Sequence, residues 1–392
     1  YTCTKNFTAL KIVAKTLFGL ESVLSEELKS LGAKNIVPLN RAVQFEGDQE
    51  LLYRCNLASR LALRFLVPIT NFQAHNDRHL YSLAGKVNWE KYLTLEQTFV
   101  IDSTTNSTRF THSQYVAQKV KDAIVDQFKE KTGKRPSVSV ANPDVRINLH
   151  ISENDVDISL DSSGESLEKR GYRTESNDAP MSEVLAAAMV KFSEWDLKEP
   201  LLDAMTGSGT IAIEAALIAT NTAPGLHRPF AFQNWADYDK ALFDRLQFEL
   251  RSAIKPINVK ILARDIDEST ISVAKRNAVR AGVIDGISFE CLDFMASDPF
   301  AESALILMNP PYGERLEEPE EMIELYHEIG FRLKHNYANH TVWVISSNLP
   351  AMKRIGLKPD VRIKLFNGSL ECRLNKYSLF KGKRIDHLEK LP

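Results

Sequence analysis

Cysteine is scarce and scattered. The 392 residues hold four, Cys3, Cys55, Cys291 and Cys372, with no C-x-x-C pair and no metal-ligand spacing. They read as reduced structural thiols of a cytoplasmic protein, with no metal site expected. No apolar run reaches the ~20 residues that a membrane-spanning helix needs. No secretory leader is recognisable, although the chain opens on Tyr1 rather than Met. An excess of one charge is missing too: 49 Lys and Arg face 51 Asp and Glu, so any nucleic-acid surface must be local. There is no internal repeat and no low-complexity tract. At this length one core is too few, and two or three domains are expected.

What is present reads as successive α/β units. Alternation predicts a strand over Leu10–Ala14, and Leu20, Val23, Leu24, Leu28 and Leu31 sit at helical spacing before Gly32. Strands are expected at Asn35–Leu39 and Ala42–Phe45. From Asp48 the pattern restarts, with a helix through Leu51, Leu52 and Cys55 and strands at Leu61–Ile69 and Thr98–Asp102. An amphipathic helix follows at Ser113–Lys131, then a hairpin of Val145–Ile151 and Val156–Leu160 turning at Glu153-Asn154-Asp155. Arg109, Lys119, Lys121, Lys129, Lys131, Lys134 and Arg135 surround that helix, as a solvated face or an RNA footprint. The polar run Asp161–Ser166 marks a boundary. Beyond it Arg170, Tyr172 and Arg173 combine two guanidiniums with a ring, suited to phosphate and base contacts or to a linker pinned by salt bridges. Pro180 is expected in the first turn of a helix reaching about Trp195.

The second half carries its chemistry at strand ends. A strand ending at Asp203 runs into Gly207-Ser208-Gly209-Thr210-Ile211-Ala212, which lets backbone approach a ligand whose anionic end faces a helix N-terminus. Dinucleotide and adenosyl sites share that signal. The strand Val259–Ala263 is followed by Asp265, placed to accept from two ribose hydroxyls, and by Asp267, expected to cap a helix that stops at Gly282. Ile287–Cys291 leads to Asp293, a candidate acceptor for an adenine amino group, with Phe294 flanking the ring. Leu305–Met308 then stops at Asn309-Pro310-Pro311-Tyr312-Gly313-Glu314-Arg315. Pro-Pro continues neither strand nor helix, so an amide, two rigid prolines and a ring are left where open α/β sheets bind ligands. Asn-Pro alone is a common turn. Four ordered strand ends bearing Gly loop, acid, acid and Asn-Pro-Pro-Tyr are far more specific. Asp265 lies much farther than ~20 residues beyond the glycines, which disfavours a dehydrogenase. Between Ala223 and Trp235 an insertion near the expected pocket holds Arg228, suited to contact an unstacked base. Phe230 and Trp235 are expected to pack, and His227 to be structural. Glu314 and Arg315 could shape the pocket but are assigned no chemistry.

Asp-x-x-x-Gly-Ser-Gly-Thr at 203–210 with Asn-Pro-Pro-Tyr-Gly-Glu-Arg at 309–315 resembles the class I S-adenosylmethionine-dependent methyltransferases that act on exocyclic amino groups. Ser113–Asp126, Arg-Gly-Tyr-Arg at 170–173 and Ala-Pro-Gly-Leu-His-Arg at 223–228 extend the likeness to the bacterial large-subunit ribosomal RNA guanine-N2 methyltransferases, over nearly the whole chain. The resemblance implies an α/β, Rossmann-like class I methyltransferase domain over 163–386, preceded by an α+β ferredoxin-like region over 1–47 and a THUMP RNA-binding domain over 48–162. It implies S-adenosylmethionine held by Asp203, Thr206, Gly207, Gly209, Thr210, Asp265, Asp293, Phe294 and Asn309. Catalysis falls to Asn309, Pro310 and Tyr312, and RNA contacts to Lys119, Lys121, Arg170, Tyr172, Arg173 and Arg228. The partner implied is ribosomal RNA, with no membrane. Two positions depart from the family pattern: Ala204 and Thr206 stand where Pro and Cys are usual, and neither is expected to supply a side chain the chemistry needs. Some relatives carry a second, fused methyltransferase; a single one is expected here.

The expected reaction is direct methyl transfer from the sulfonium to guanine N2. That nitrogen is a poor nucleophile because its lone pair is delocalised into the ring. The Asn309 side-chain oxygen and the Pro310 carbonyl can accept its two N–H bonds, turning the lone pair toward the methyl and stabilising the developing positive charge. The prolines fix the geometry that in-line transfer needs, and Tyr312 stacks on a base taken out of its helix or loop. No strong general base is needed before attack, since the nitrogen becomes acidic once alkylated. Adenine N6 presents the same NH₂, so guanine rests on the resemblance. An adenine-N6 methyltransferase on RNA or DNA and a transfer RNA guanine-N2 enzyme remain open. So does a non-catalytic RNA-binding assembly factor, which would not bind S-adenosylmethionine.

Overall fold

The computed structural model describes residues 9–173, 181–312 and 319–381, so Pro180, Glu314 and Arg315 lie outside the described residues. The chain divides into two compact units. The first comprises Tyr1–Thr16, Ser25–Leu167 and Arg228–Phe248, and the second Leu17–Leu24, Glu168–His227 and Glu249–Pro392.

The first unit is built on one eight-stranded sheet. Its strands are β1 (Leu10–Lys15), β2 (Lys34–Leu39), β3 (Ala42–Gly47), β4 (Arg64–Gln73), β5 (Thr98–Asn106), β6 (Ser137–Val138), β7 (Val145–Ser152) and β8 (Asp155–Asp161). They lie in the order β2-β3-β1-β4-β8-β7-β5-β6. Because β1 pairs antiparallel with both β3 and β4, the sheet runs unbroken across residue 47, where the sequence pattern restarts. The first four helices in chain order are α1 (Glu21–Leu31), α2 (Gln49–Ala58), α3 (Asp77–Ala84) and α4 (Ser113–Thr132). Asp48 starts α2 by accepting from the Leu51 amide at 2.8 Å, and Gly133, at φ +73°, ends α4. Helical spacing brings Val116, Val120, Ile124 and Phe128 of α4 into one core with Ile147, Leu149 and Ile158.

The aromatic segment after His227 belongs to this unit. Phe232 stacks on Tyr53 of α2, with centroids 4.2 Å apart and planes 13° apart. Phe230 stacks on Phe232, and Phe243 meets both edge-on. Trp235 packs against the sheet's core. An insertion that the sequence assigns to the second half therefore fills the first unit, each such ring pair adding about 0.5–1.5 kcal/mol beyond its buried area.

The second unit adds α5 (Glu183–Phe192), β9 (Leu201–Asp203), α6 (Thr210–Ala219), β10 (Ile261–Asp265), α8 (Glu268–Arg280), β11 (Ile287–Cys291), β12 (Leu305–Met308), α9 (Pro319–Asn336), β13 (Thr341–Ser346), α10 (Leu349–Arg354), β14 (Val361–Asn367) and β15 (Leu370–Ser378); α7 (Lys240–Ser252) precedes β10. Its sheet runs β11-β10-β9-β12-β13-β15-β14, with β9 to β13 parallel and β15 antiparallel to both neighbours. All four residues of β12 are buried, as a strand covered on both faces requires. The winding reverses between β9 and β12. Asp203 pairs with Ala263 on one side and Leu307 on the other, so the strands that end at the glycine loop, at Asp265 and at Asn309 lie side by side at the switch point, where open α/β sheets bind ligands. Among the described residues no helix is long and apolar enough to cross a membrane.

Candidate active site at the switch point of the second sheet

The glycine loop is held by a carboxylate and a backbone carbonyl. The Gly207 amide donates to Asp265 Oδ2 at 2.8 Å, and the Thr206 amide donates to the Arg264 carbonyl at 2.8 Å. Gly207 and Gly209 have φ of +54° and +86°, which side-chain-bearing residues rarely adopt. A Cβ on Gly209 would also lie 3.0 Å from the Ala274 Cβ of α8, whereas one on Gly207 would meet nothing within 4 Å. Gly209 thus serves the packing of α6, and Gly207 leaves open space for a ligand.

Asp203 is fully buried beneath this loop. Thr206 Oγ1 donates to its Oδ2 at 2.6 Å and the Ala212 amide at 3.1 Å, while Oδ1 has no hydrogen-bond partner among the described residues. The Thr206 hydroxyl thus anchors the acid. Burial pushes the Asp203 carboxyl up to about 7, assisted by the charge of Asp265 and opposed by the Thr206 and Ala212 hydrogen bonds. The folded protein binds this proton more tightly than the unfolded chain does. Its stabilising contribution is therefore complete below 3.8 and is lost as pH rises through about 7. Asp203→Asn should remove that loss. In ligand-free protein, the melting-temperature difference (variant minus wild type) should rise between about pH 4 and about pH 8 and then level. The rise corresponds to a few kcal/mol, at about 1.4 kcal/mol per pH unit. Scanning calorimetry across that range checks it; a flat difference would mean that Asp203 ionises normally in the fold.

Asp265 Oδ1 also accepts from the Asp267 amide at 3.2 Å, and Asp267 caps α8 through the Ser269 amide. Both Asp265 oxygens keep lone pairs for further donors. Asp293 Oδ1 accepts from the Met295 amide at 2.9 Å. Phe294, expected beside a ligand ring, is 2% exposed and stacks on Tyr337, with centroids 5.3 Å apart, so its ring packs in the core. The exposed apolar groups here are Ile266, at 69%, and Leu292, linked through the Leu292 amide on the Asp265 carbonyl. Sequence reasoning missed both; an aliphatic residue directly beside each acid was the available signal. Thr210 is buried, its hydroxyl 3.2 Å from Ser208 Oγ.

Asn309 follows β12 into a loop fixed from several elements. The Tyr312 hydroxyl donates to Asn309 Oδ1 at 2.6 Å, and Asn348 Nδ2 donates to the Tyr312 carbonyl at 3.1 Å. Tyr326 Oη donates to the Pro311 carbonyl at 3.2 Å and lies 2.6 Å from Ser346 Oγ. Pro310 is buried, whereas Asn309 and Tyr312 are half-buried. Asn348 and Tyr326 were not foreseen, because the pattern beyond Arg315 has no motif of its own.

The expected RNA-contacting residues are not all surface groups. Arg170 and Tyr172 are buried around Glu214 of α6: Arg170 Nε lies 3.5 Å from Glu214 Oε1, and the Tyr172 hydroxyl donates to the same oxygen at 3.0 Å. Arg173 pairs with Glu183 of α5 at 2.8 Å. Burial raises the Glu183 carboxyl to about 7 despite that guanidinium. These three residues form an internal network and present little to solvent. Arg228 donates to the carbonyls of Ser166 and Glu165 at 2.8 and 2.5 Å. Lys119 and Lys121 remain on the surface of α4, Lys119 over the Tyr115 ring and Lys121 against Asp122. Beside them the start of α4 opens a polar groove of about 500 Å³ lined by His112, Gln114, Tyr115 and Gln118, with no side chain capping the helix.

Known proteins resemble the chain along nearly its whole length. Residues 170–376 match the RMKL-like methyltransferase domain, 74–161 the THUMP domain and 11–66 the RlmL ferredoxin-like domain. A protein of Synechocystis sp., named as a presumed RNA methyltransferase, is 38% identical, with 92% of this chain and 95% of that protein aligned. The ribosomal RNA large subunit methyltransferase K/L of Aliivibrio fischeri is 39% identical over 94% of this chain, which spans only 53% of that protein's length. A crystal structure of a presumed methyltransferase complexed with SAH superposes with a TM-score of 0.86 at 30% identity, covering 96% of this chain and 99% of the other.

Proposed function

Because the chain belongs to the RMKL-like methyltransferase family, with a THUMP domain and an RlmL ferredoxin-like domain preceding the catalytic one, we propose that it methylates guanine N2 in large-subunit ribosomal RNA, in the cytoplasm. In this reading 163–386 carries the transfer, 48–162 the RNA contacts and 1–47 a scaffold. The observation that carries it is the convergence of the glycine loop, Asp265, Asp293 and Asn309 on consecutive strand ends at one topological switch point.

The residues present fit S-adenosylmethionine. Gly207 leaves room for close approach, Asp203 retains an unsatisfied buried acceptor, and Asp265 and Asp293 offer carboxylate oxygens beside the exposed aliphatic Ile266 and Leu292. Asp265 would receive the ribose hydroxyls and Asp293 the adenine amino group, with Ile266 and Leu292 against the ring. When bound, the cofactor supplies an electrophilic methyl group. Asn309 Oδ1 and the Pro310 carbonyl accept the N–H bonds of the target amino group and stabilise its growing positive charge. Pro310 and Pro311 hold those acceptors in place, and the Tyr312 ring stacks on the base. Lys119, Lys121 and the groove at Tyr115 supply cations and a ring for the RNA.

The choice of ribosomal RNA follows the names of relatives that are about twice as long as this chain, and guanine follows the resemblance carried by the motifs at 170–173 and 223–228. Nucleoside mass spectrometry of unmodified ribosomal and transfer RNA, after incubation with the protein and labelled S-adenosylmethionine, tests both. Label in N2-methylguanosine from ribosomal RNA is expected. Label in transfer RNA would move the substrate, label in N6-methyladenosine would move the base, and absence of cofactor binding would leave an RNA-binding factor.

A further inference from the structure

The acceptor assigned to the substrate is already engaged. Tyr312 Oη donates to Asn309 Oδ1 at 2.6 Å. A ring meant to stack on a base is thus anchored by its polar tip and is half-buried. A hydroxyl on Oδ1 draws electron density from that oxygen, so the amide is a weaker acceptor while the bond lasts. The backbone around the ring is held independently. Asn348 grips the Tyr312 carbonyl at 3.1 Å and Tyr326 grips the Pro311 carbonyl at 3.2 Å. The side chain can therefore rotate without moving the loop that carries Asn309.

We propose that Tyr312 occupies two positions, hydroxyl on Asn309 or ring on the target base, that RNA displaces the first to reach the second, and that Asn348 is the positioning residue that keeps the loop still during the exchange. The inference rests on the reading of Asn309 as the acceptor of the target amino group. Only the fraction of molecules with a freed Asn309 is competent, so the apparent affinity for RNA is reduced by that fraction.

Steady-state kinetics on unmodified ribosomal RNA test this with Tyr312→Phe, Asn348→Ala and Asn309→Ala. Tyr312→Phe keeps the ring and removes the tie; one hydrogen bond of ordinary net strength predicts a KM for RNA about 2- to 10-fold lower, with kcat/KM raised in proportion. Asn348→Ala lowers kcat with little change in KM, the mark of lost positioning. If Asn309→Ala is inactive but Tyr312→Phe leaves KM unchanged or raises it, the exchange is wrong and the acceptor reading stands. If Asn309→Ala keeps wild-type activity, both fall.

Discussion

Asn309→Ala should lower kcat by about 10²–10³-fold, the usual cost of deleting one preorganised group aimed at charge that develops in the transition state. Asn309 follows a strand buried on both faces, and two prolines follow it, so its amide is carried by rigid backbone. An acceptor fixed in this way needs no reorganisation as the amino group becomes positive. Alanine leaves the Pro310 carbonyl as the remaining acceptor, and a single acceptor neither orients both N–H bonds nor turns the lone pair. Single-turnover assays with labelled S-adenosylmethionine at saturating cofactor isolate the chemical step. The cofactor dissociation constant, measured by calorimetry, should move much less than kcat. A large loss of cofactor affinity with the chemical step intact would make Asn309 a cofactor ligand only. Asn309→Asp keeps an acceptor and should retain more activity than Asn309→Ala.

The site was readable wherever chemistry is written into backbone constraints. Gly207 and Gly209 need positive φ, Asp267 and Asp48 cap helices, and the Leu305–Met308 run ends where Pro-Pro forbids continuation. Each is a local requirement that sequence alone expresses. What stayed open in the sequence depends on partners distant in the chain. Phe294 follows an acid at a strand end, and nothing local separates a ring on the ligand from a ring on Tyr337. Arg170 and Arg173 have one composition whether they meet phosphate or Glu214 and Glu183. The aromatic segment from Phe230 packs as expected, but its partner Tyr53 lies far back in the chain and nothing local names it. The β14–β15 hairpin was legible and overlooked: Gly368-Ser369 between alternating strands is a two-residue hairpin signal, and Gly368 has φ +62°. Gly330 on α9, by contrast, is explained only by the fold, since its Cβ would lie 1.9 Å from the Ile355 carbonyl oxygen.

Glu214→Ala should destabilise the protein by about 3–5 kcal/mol, the cost of breaking a buried charge pair by removing one partner. The Arg170 and Glu214 side chains are 2% and 0% exposed, so water cannot replace what the substitution removes. The Tyr172 hydroxyl loses its acceptor as well. The paired change Arg170→Met with Glu214→Leu should recover most of the loss, because apolar residues of similar volume often replace a buried pair at little or no cost. Denaturant unfolding of Arg170→Met, Glu214→Leu and the double supplies the cycle. The same proteins decide what Arg170 is for. A guanidinium on an RNA phosphate would, when removed, reduce the slope of log affinity against log salt by about 1 while leaving the fold intact. A buried counter-ion does the reverse. Arg170→Met is expected to cost stability and leave the salt slope unchanged, and Glu214→Ala to weaken S-adenosylmethionine binding too, since Glu214 lies in the helix that the glycine loop starts. A reduced slope with unchanged stability would return Arg170 to the RNA.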